Sequence, residues 1–280
     1  MKNYFKFLIS SLICLFVIQF SGCQGLPQFA FTPTLTTPVE EITVAAAADL
    51  QFAFTDIAEQ YELLTGRKVT LVFGSTGQLV QQIENGAPFD LVAAANISYV
   101  NQLVDHGLAV PESAALYARG RIVLAVNTKS GIEAVKLEDL LSDDIHHIAI
   151  ANPEHAPYGL AARQALESRG LWEQIKPKLV YGENVRQALQ FIQTGDAEVG
   201  IISLSVANVP EITWTFIDES LHSPLDQALA ILTACKNPDV AGDFIKFING
   251  ENGRPIMRQY GFLLPDEIRQ LSKQQPAMQP

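Results

Sequence analysis

The residues of this chain best suited to chemistry are small and polar, and they stand where apolar runs give way to helical patterns. Ala48-Asp49, Gly74-Ser75-Thr76-Gly77 and Asn184-Val185 are three such turns, and Pro157-Tyr158-Gly159 is a fourth. The first four N–H groups of a helix have no intrahelical partner and carry the positive end of its dipole. A turn of this kind binds an anion through backbone amides and hydroxyls, without any Lys or Arg. A single such turn is ordinarily no more than a helix cap, whereas several that converge make a site. For nucleophilic chemistry the sequence offers one pair, Ser75 as nucleophile and His155 as base, and no local spacing orients it. The Gly-x-Ser-x-Gly elbow, the P-loop, His-Glu-x-x-His and Cys-x-x-Cys do not occur. His146 and His147 are adjacent, so on a strand their rings would face opposite ways and could not share a metal; a solvated loop is expected there.

These turns need a scaffold, and the surrounding pattern supplies one. Ile42–Ala48 reads as a strand, followed by a helix through Phe52, Ile57, Ala58, Tyr61 and Leu64 that stops at Gly66. Val69–Phe73 is a second strand, Leu79–Asn85 a helix, and Leu91–Ala95 a third strand, with Asp90 read as a structural residue ahead of it. The same order returns in Ile148–Ile150 with a helix over Gly159–Ser168, and in Val199–Ile202 after a helix around Val185–Gln193. Strands alternating with helices at this spacing indicate parallel βαβ units and an α/β fold, with ligands bound beyond the strand C-termini. Arg121–Val126 and Trp214–Ile217 are candidate crossing strands, Val240–Asn249 a last helix, and the polar residues after Leu264 are expected to fray. The chain has 280 residues, of which 48% are hydrophobic and 18% charged, enough to bury a sizeable core. A net charge of −11 disfavours nucleic acid and anionic lipid head groups as partners.

Taken together the motifs resemble the periplasmic molybdate-binding proteins of ABC transporters. The stretches that carry the resemblance are Ala46-Ala47-Ala48-Asp49-Leu50, Phe73 to Gly77, Gln82 to Asp90, Asn152 to Gly159, Glu183 to Leu189 and the closing Tyr260-Gly261-Phe262, in order over Glu41 to Leu264. The resemblance implies a two-lobed, type II periplasmic binding-protein fold. Lobe I would hold 41–125 and 213–265, lobe II 126–212, and 266–280 would be a tail. Each lobe would be a sheet flanked by helices, closing on a tetrahedral oxyanion, molybdate or tungstate, that a monomer delivers to an ABC permease. No cofactor and no catalysis are implied. The expected ligand residues are Asp49, Ser75, Thr76, the amides of Tyr158 and Val185, and Ser203 at the position of a family Tyr. Asp49 departs from the family pattern, which has Ser there. An ionised Asp only accepts hydrogen bonds and so repels a fully deprotonated oxyanion. Either its carboxylate turns back to cap its own helix, the reading preferred here, or it accepts a proton from a ligand such as phosphate or a phosphonate. Two other functions compete with the resemblance: a secreted α/β hydrolase using Ser75 and His155, and a sensor domain that has kept the fold and lost transport.

Residues 1–22 read as a secretory signal. Lys2 and Lys6 precede an apolar stretch from Phe7 to Phe20, shorter than the ~20 residues a spanning helix needs. Ser21-Gly22-Cys23 resembles the lipobox, whose cysteine becomes lipid-modified, and 23–40, with its prolines and threonines, reads as the tether behind it. Cys235, in an apolar run, is expected to be a buried thiol. Expressed with its leader in a bacterium, the protein should fractionate with membranes, and Cys23→Ser should move it to the soluble periplasmic fraction. An unmodified N-terminus on soluble native protein would contradict this.

Overall fold

The computed structural model describes residues 40–274; the leader, Cys23, the tether up to residue 39 and the last six residues lie outside the described residues. In chain order the first elements are β1 (Glu41–Ala47), α1 (Gln51–Thr65), β2 (Lys68–Gly74), α2 (Thr76–Glu84), β3 (Leu91–Ala94) and α3 (Ile97–Asp105). Next come β4 (Ala115–Gly120), β5 (Ile122–Asn127), β6 (Ile148–Ala151), α4 (Pro157–Ser168), α5 (Trp172–Ile175), β7 (Leu179–Gly182), α6 (Val185–Thr194) and β8 (Val199–Ser203). The chain ends with β9 (Ile212–Phe216), β10 (Leu225–Ile231), α7 (Pro238–Asn249), α8 (Gly253–Gln259) and α9 (Pro265–Gln274).

Two five-stranded sheets result, ordered β2-β1-β3-β10-β4 and β7-β6-β8-β5-β9. In the first, β1 is parallel to β2 and β3, and β10 runs antiparallel to β3 and β4. The second repeats the plan, with β6 parallel to β7 and β8 and β5 antiparallel to β8 and β9. Val44, Ala45 and Ala46 are all fully buried because helices cover both faces of the sheet, and this is why β1 reads as an unbroken apolar run. On α1, Ala53, Phe54, Ile57, Ala58 and Tyr61 form the stripe that meets this sheet, and Gly66 closes the helix with a left-handed φ of 70°.

Two expectations need correction. The chain changes sheets between Gly120 and Ile122 and returns between Phe216 and Leu225, so β5 and β9 belong wholly to the second sheet. The expected lobe limits at 125/126 and 212/213 therefore cut through β5 and miss β9. All six residues of β5 are buried, and such a strand looks the same from its own sequence whichever sheet receives it. Nor does the tail fray at Leu264. Pro265, Asp266 and Glu267 start α9, the Leu264 amide donates to Glu267 Oε2 at 2.6 Å, and Arg254 and Arg258 pair with Asp266 and Glu267. Pro at the first helical position followed by acids in the first turn is a helix-start signal that the hydrophilic composition obscured.

The two lobes touch across the cleft. The Gly77 amide donates to the His155 carbonyl at 2.9 Å, Gln78 Nε2 to Glu183 Oε2 at 2.6 Å, and Arg186 Nε to Gln51 Oε1 at 2.8 Å. The Arg186 guanidinium also lies 4.6 Å from the Phe52 ring centroid. Gly77 permits this approach, since a Cβ there would sit 2.7 Å from the His155 oxygen. Gly77→Ala should thus leave both sheets folded while separating the lobes at this point. Hydrogen exchange would show it as faster loss of the amide proton at 77 with core protection unchanged.

Candidate anion site

All four turns singled out in the sequence open on one cavity. Its wall is made by Ala47 to Asp49, Gly74 to Thr76, Ala156 to Tyr158 and Asn184-Val185, with Ala95 at the end of β3. No Lys, Arg or His side chain is among these lining residues. The cavity is small, about 10 Å³ for the centre of a water-sized sphere, so a sugar, nucleotide or peptide would not fit without the walls separating.

Local structure explains which donors remain free. Asn184 caps α6 by accepting from the amides of Arg186 and Gln187, which leaves the Val185 amide, ahead of them, to face the cavity. Pro157 opens α4 with no N–H to offer, so Tyr158 supplies the first amide of that helix. Thr76 Oγ1 accepts from the Ala95 amide at 3.1 Å, and a hydroxyl used as acceptor keeps its proton to donate. Ser75 occupies the cap position of α2 without capping it: its Oγ lies 2.8 Å from His155 Nδ1, whose other ring nitrogen lies 3.7 Å from Glu183 Oε2. The pair that the sequence left unoriented is thus brought together across the cleft.

Asp49 behaves differently from the preferred expectation. It does not cap its own helix; no side-chain cap bond forms at the Ala48–Leu50 turn or at the start of α1. Its Oδ2 instead accepts from the Tyr158 hydroxyl at 2.9 Å and from Gln227 Nε2 at 2.7 Å. Oδ1 has no hydrogen-bond partner among the described residues, although the residue is only 1% exposed. Two buried donors outcompete the helix's own amides for the carboxyl. Gln227 is oriented by Tyr117, whose hydroxyl donates to Gln227 Oε1 at 2.8 Å and so turns the amide nitrogen toward Asp49. Burial pushes the Asp49 carboxyl up to about 6, with the Gln227 and Tyr158 bonds and, least, its own backbone amide opposing the rise. The Tyr117 and Tyr158 phenols are raised well above their ordinary value, by burial first and by the Asp49 charge second.

Of the six expected ligand residues, five line the cavity and Ser203 does not. Ser203 is fully buried, its Oγ 2.6 Å from Ser205 Oγ, and Ser205 in turn donates to the Asp49 carbonyl at 2.7 Å. The Tyr158 phenol reaches Asp49 only because residue 120 is Gly, where a Cβ would collide with its hydroxyl. Gln227, Tyr117, Ser205 and Gly120 were not anticipated. Gln227 had a readable signal, an uncharged polar residue inside the apolar run of β10; the others had none. Elsewhere the loop expected at His146-His147 is present, their amides donating to Glu198, and Asp90 holds the Thr43 and Lys236 amides as a structural residue. Cys235 is half-buried in a turn, not inside a strand, and burial pushes its thiol up to about 11.

A two-sheet α/β fold whose helix N-termini converge on a small cavity between lobes defines an extracellular solute receptor, and residues 42–263 match the family model of bacterial extracellular solute-binding proteins. The chain belongs to that family. It is 37% identical to the molybdate-binding protein ModA of Azotobacter vinelandii over 79% of this chain and 89% of the relative, and 32% identical to that of Rhodobacter capsulatus over 80% and 88%. The solved periplasmic molybdate-binding protein of Azotobacter vinelandii superposes with a TM-score of 0.75 at 29% identity, over 80% of this chain and 99% of that one. The sulfate-binding protein SubI of Mycobacterium tuberculosis shares the fold at 15% identity, with a TM-score of 0.70.

The Asp49 carboxyl has a consequence for stability. Its folded value of about 6 lies above the ordinary 3.8, so the folded state binds the proton more tightly than the unfolded chain. Stability is then greatest below the lower value and falls as pH rises through the window between the two, by up to about 3 kcal/mol. Asp49→Asn removes this titration. Urea denaturation without ligand should show the variant gaining on the native protein between pH 4 and pH 7; parallel curves would contradict the assignment.

Proposed function

We propose that this protein captures molybdate outside the cytoplasm and delivers it to an ABC permease. The observation that carries the reading is the convergence of four helix starts on one small cavity with no Lys, Arg or His side chain among its lining residues. Amides and hydroxyls suit an ion that is acceptor on every side, and the two relatives with the highest identities quoted above are molybdate-binding proteins. Tungstate, of the same shape and charge, belongs to the same ligand class. Asp49, Ser75, Thr76 and the amides of Tyr158 and Val185 are the proposed ligand groups. Ser203 acts behind them, through Ser205 and the Asp49 backbone.

The Ser75–His155 pair serves binding and closure in this reading. Ser75 is held by the His155 ring, and His155 is tied to the opposite lobe through its carbonyl as well as its ring. The protein is thus a receptor and not an enzyme, acting as a monomer. It is held to the membrane through Cys23 when the leader is processed as a lipoprotein signal.

Calorimetric titration with molybdate, tungstate, sulfate and phosphate tests the proposal, with tight binding expected for the first two. Thr76→Val should weaken molybdate binding by about 1–3 kcal/mol, the scale of a hydrogen bond to a charged group. Because no cation lines the cavity, affinity should change little between low and physiological salt, where exposed charges are screened over about 8 Å. Preference for phosphate, or an unaltered affinity in Thr76→Val, would overturn the assignment of this site.

A further inference from the structure

Asp49 stands where the cavity calls for a donor, and its two oxygens are not equivalent. Oδ2 is occupied by the Tyr158 hydroxyl and Gln227 Nε2, both donors. Oδ1 is buried, has no partner among the described residues, and belongs to a residue of the cavity wall. A proton on this carboxyl therefore resides on Oδ1, because Oδ2 already faces two protons. We propose that Asp49 holds the oxyanion as a neutral carboxylic acid, its Oδ1–H donating to a ligand oxygen, so that binding draws one proton from solvent. The inference rests on the reading of this cavity as the molybdate site, and it supplies by protonation the donor that a hydroxyl residue would supply by composition.

The electrostatics favour this state. Burial already raises the carboxyl to about 6, and a dianion alongside opposes its ionisation further. The groups that face it do not provide a countercharge. Tyr158 from α4 and Tyr117 from β4 are phenols that its charge pushes up, while Gln227 from β10 and Ser205 beyond β8 do not titrate. Of the other ionisable side chains near the cleft, Arg186 of α6 is engaged with Gln51 and Phe52, and His155, before α4, lies between Ser75 and Glu183. His155 is retained when Asp49 is replaced, so the variants isolate the carboxyl.

Molybdate titrations of the full protein from pH 5.5 to 8.5, in two buffers of different ionisation heat, read both affinity and proton uptake. Molybdate remains a dianion across this range. Proton uptake by the native protein should rise from a fraction of a proton per ion at pH 5.5 to about one above pH 7, and its affinity should fall with rising pH, approaching about tenfold per unit once the free carboxyl is ionised. Asp49→Asn, which donates from an amide at every pH, should bind with a flat profile and no net uptake. Asp49→Ser, a second variant in case the first folds poorly, should do the same. A flat native profile without uptake would overturn the inference while leaving the site reading intact, as would an equal slope in the variants, which would assign the titration to another group. Native protein that binds phosphate more tightly than Asp49→Asn does, with molybdate weak in both, would show Asp49 accepting a proton instead and overturn it as well. Absence of molybdate binding at any pH would overturn the site reading and the inference together.

Discussion

An oxyanion buried in a protein of net charge −11 must be held by dipoles, because the chain offers no cation in the wall of its cavity. That constraint organises much of the fold. Helix N-termini are the strongest fixed dipoles available to a backbone, and the parallel βαβ arrangement places them beyond the strand C-termini, α1 and α2 from one sheet and α4 and α6 from the other. Two sheets are needed because one edge cannot surround a tetrahedral ion. With a set of helix starts from each side, the ion itself becomes the contact that favours closure. The tight backbone approach at Gly77 and the clasp of Arg186 on Gln51 and Phe52 hold the walls together. The same geometry links binding to lobe position, as a receptor that signals to a permease by shape requires.

The features legible in the sequence were those fixed locally. Strand-to-helix turns show themselves through a change of hydrophobic period and a few capping residues, and all four were found in place around one cavity. Asp90 was readable for the same reason. The misplaced lobe limits have the opposite cause. β5 is buried throughout, and its neighbours, β8 and β9, lie far along the chain, so which sheet receives it is a tertiary decision. The helix over Pro265–Gln274 was missed although its start signal was present, because composition was weighed above the cap.

The Asp49 network illustrates the limit more sharply. The expectation that its carboxylate would cap its own helix followed from the intrinsic preference of Asp for that position. Its actual partners are 109 and 178 residues away in sequence, and the space they use exists only because Gly120 lacks a side chain. No local rule joins these positions. The family resemblance did not reveal it either, since it assigned Tyr158 an amide role alone and placed the outer donor at Ser203. Here the phenol of Tyr158 reaches toward Asp49, and Ser203 pairs with Ser205. The Asp49 carboxyl is held by residues none of which is adjacent to it in the chain.

A buried carboxyl with one oxygen unsatisfied works against folding, and proteins tolerate such conflicts mainly at functional sites, where a ligand completes what the chain leaves open. Replacing Asp49 by an aliphatic residue would remove the conflict but leave Gln227 and the Tyr158 hydroxyl without their shared acceptor. The network therefore cannot be relieved one residue at a time: each member is satisfied only by the others. Its one open valence belongs to a residue of the cavity wall, and in the proposed binding mode a proton shared with an oxyanion closes that valence without adding a charge. The same arrangement ties the two lobes, since Tyr158 belongs to the second sheet's helices while Asp49 and Gln227 extend from the first. In the proposed binding mode the tie between the lobes, the ligand contact and the proton all meet at this one side chain, so a change at either oxygen reaches all three.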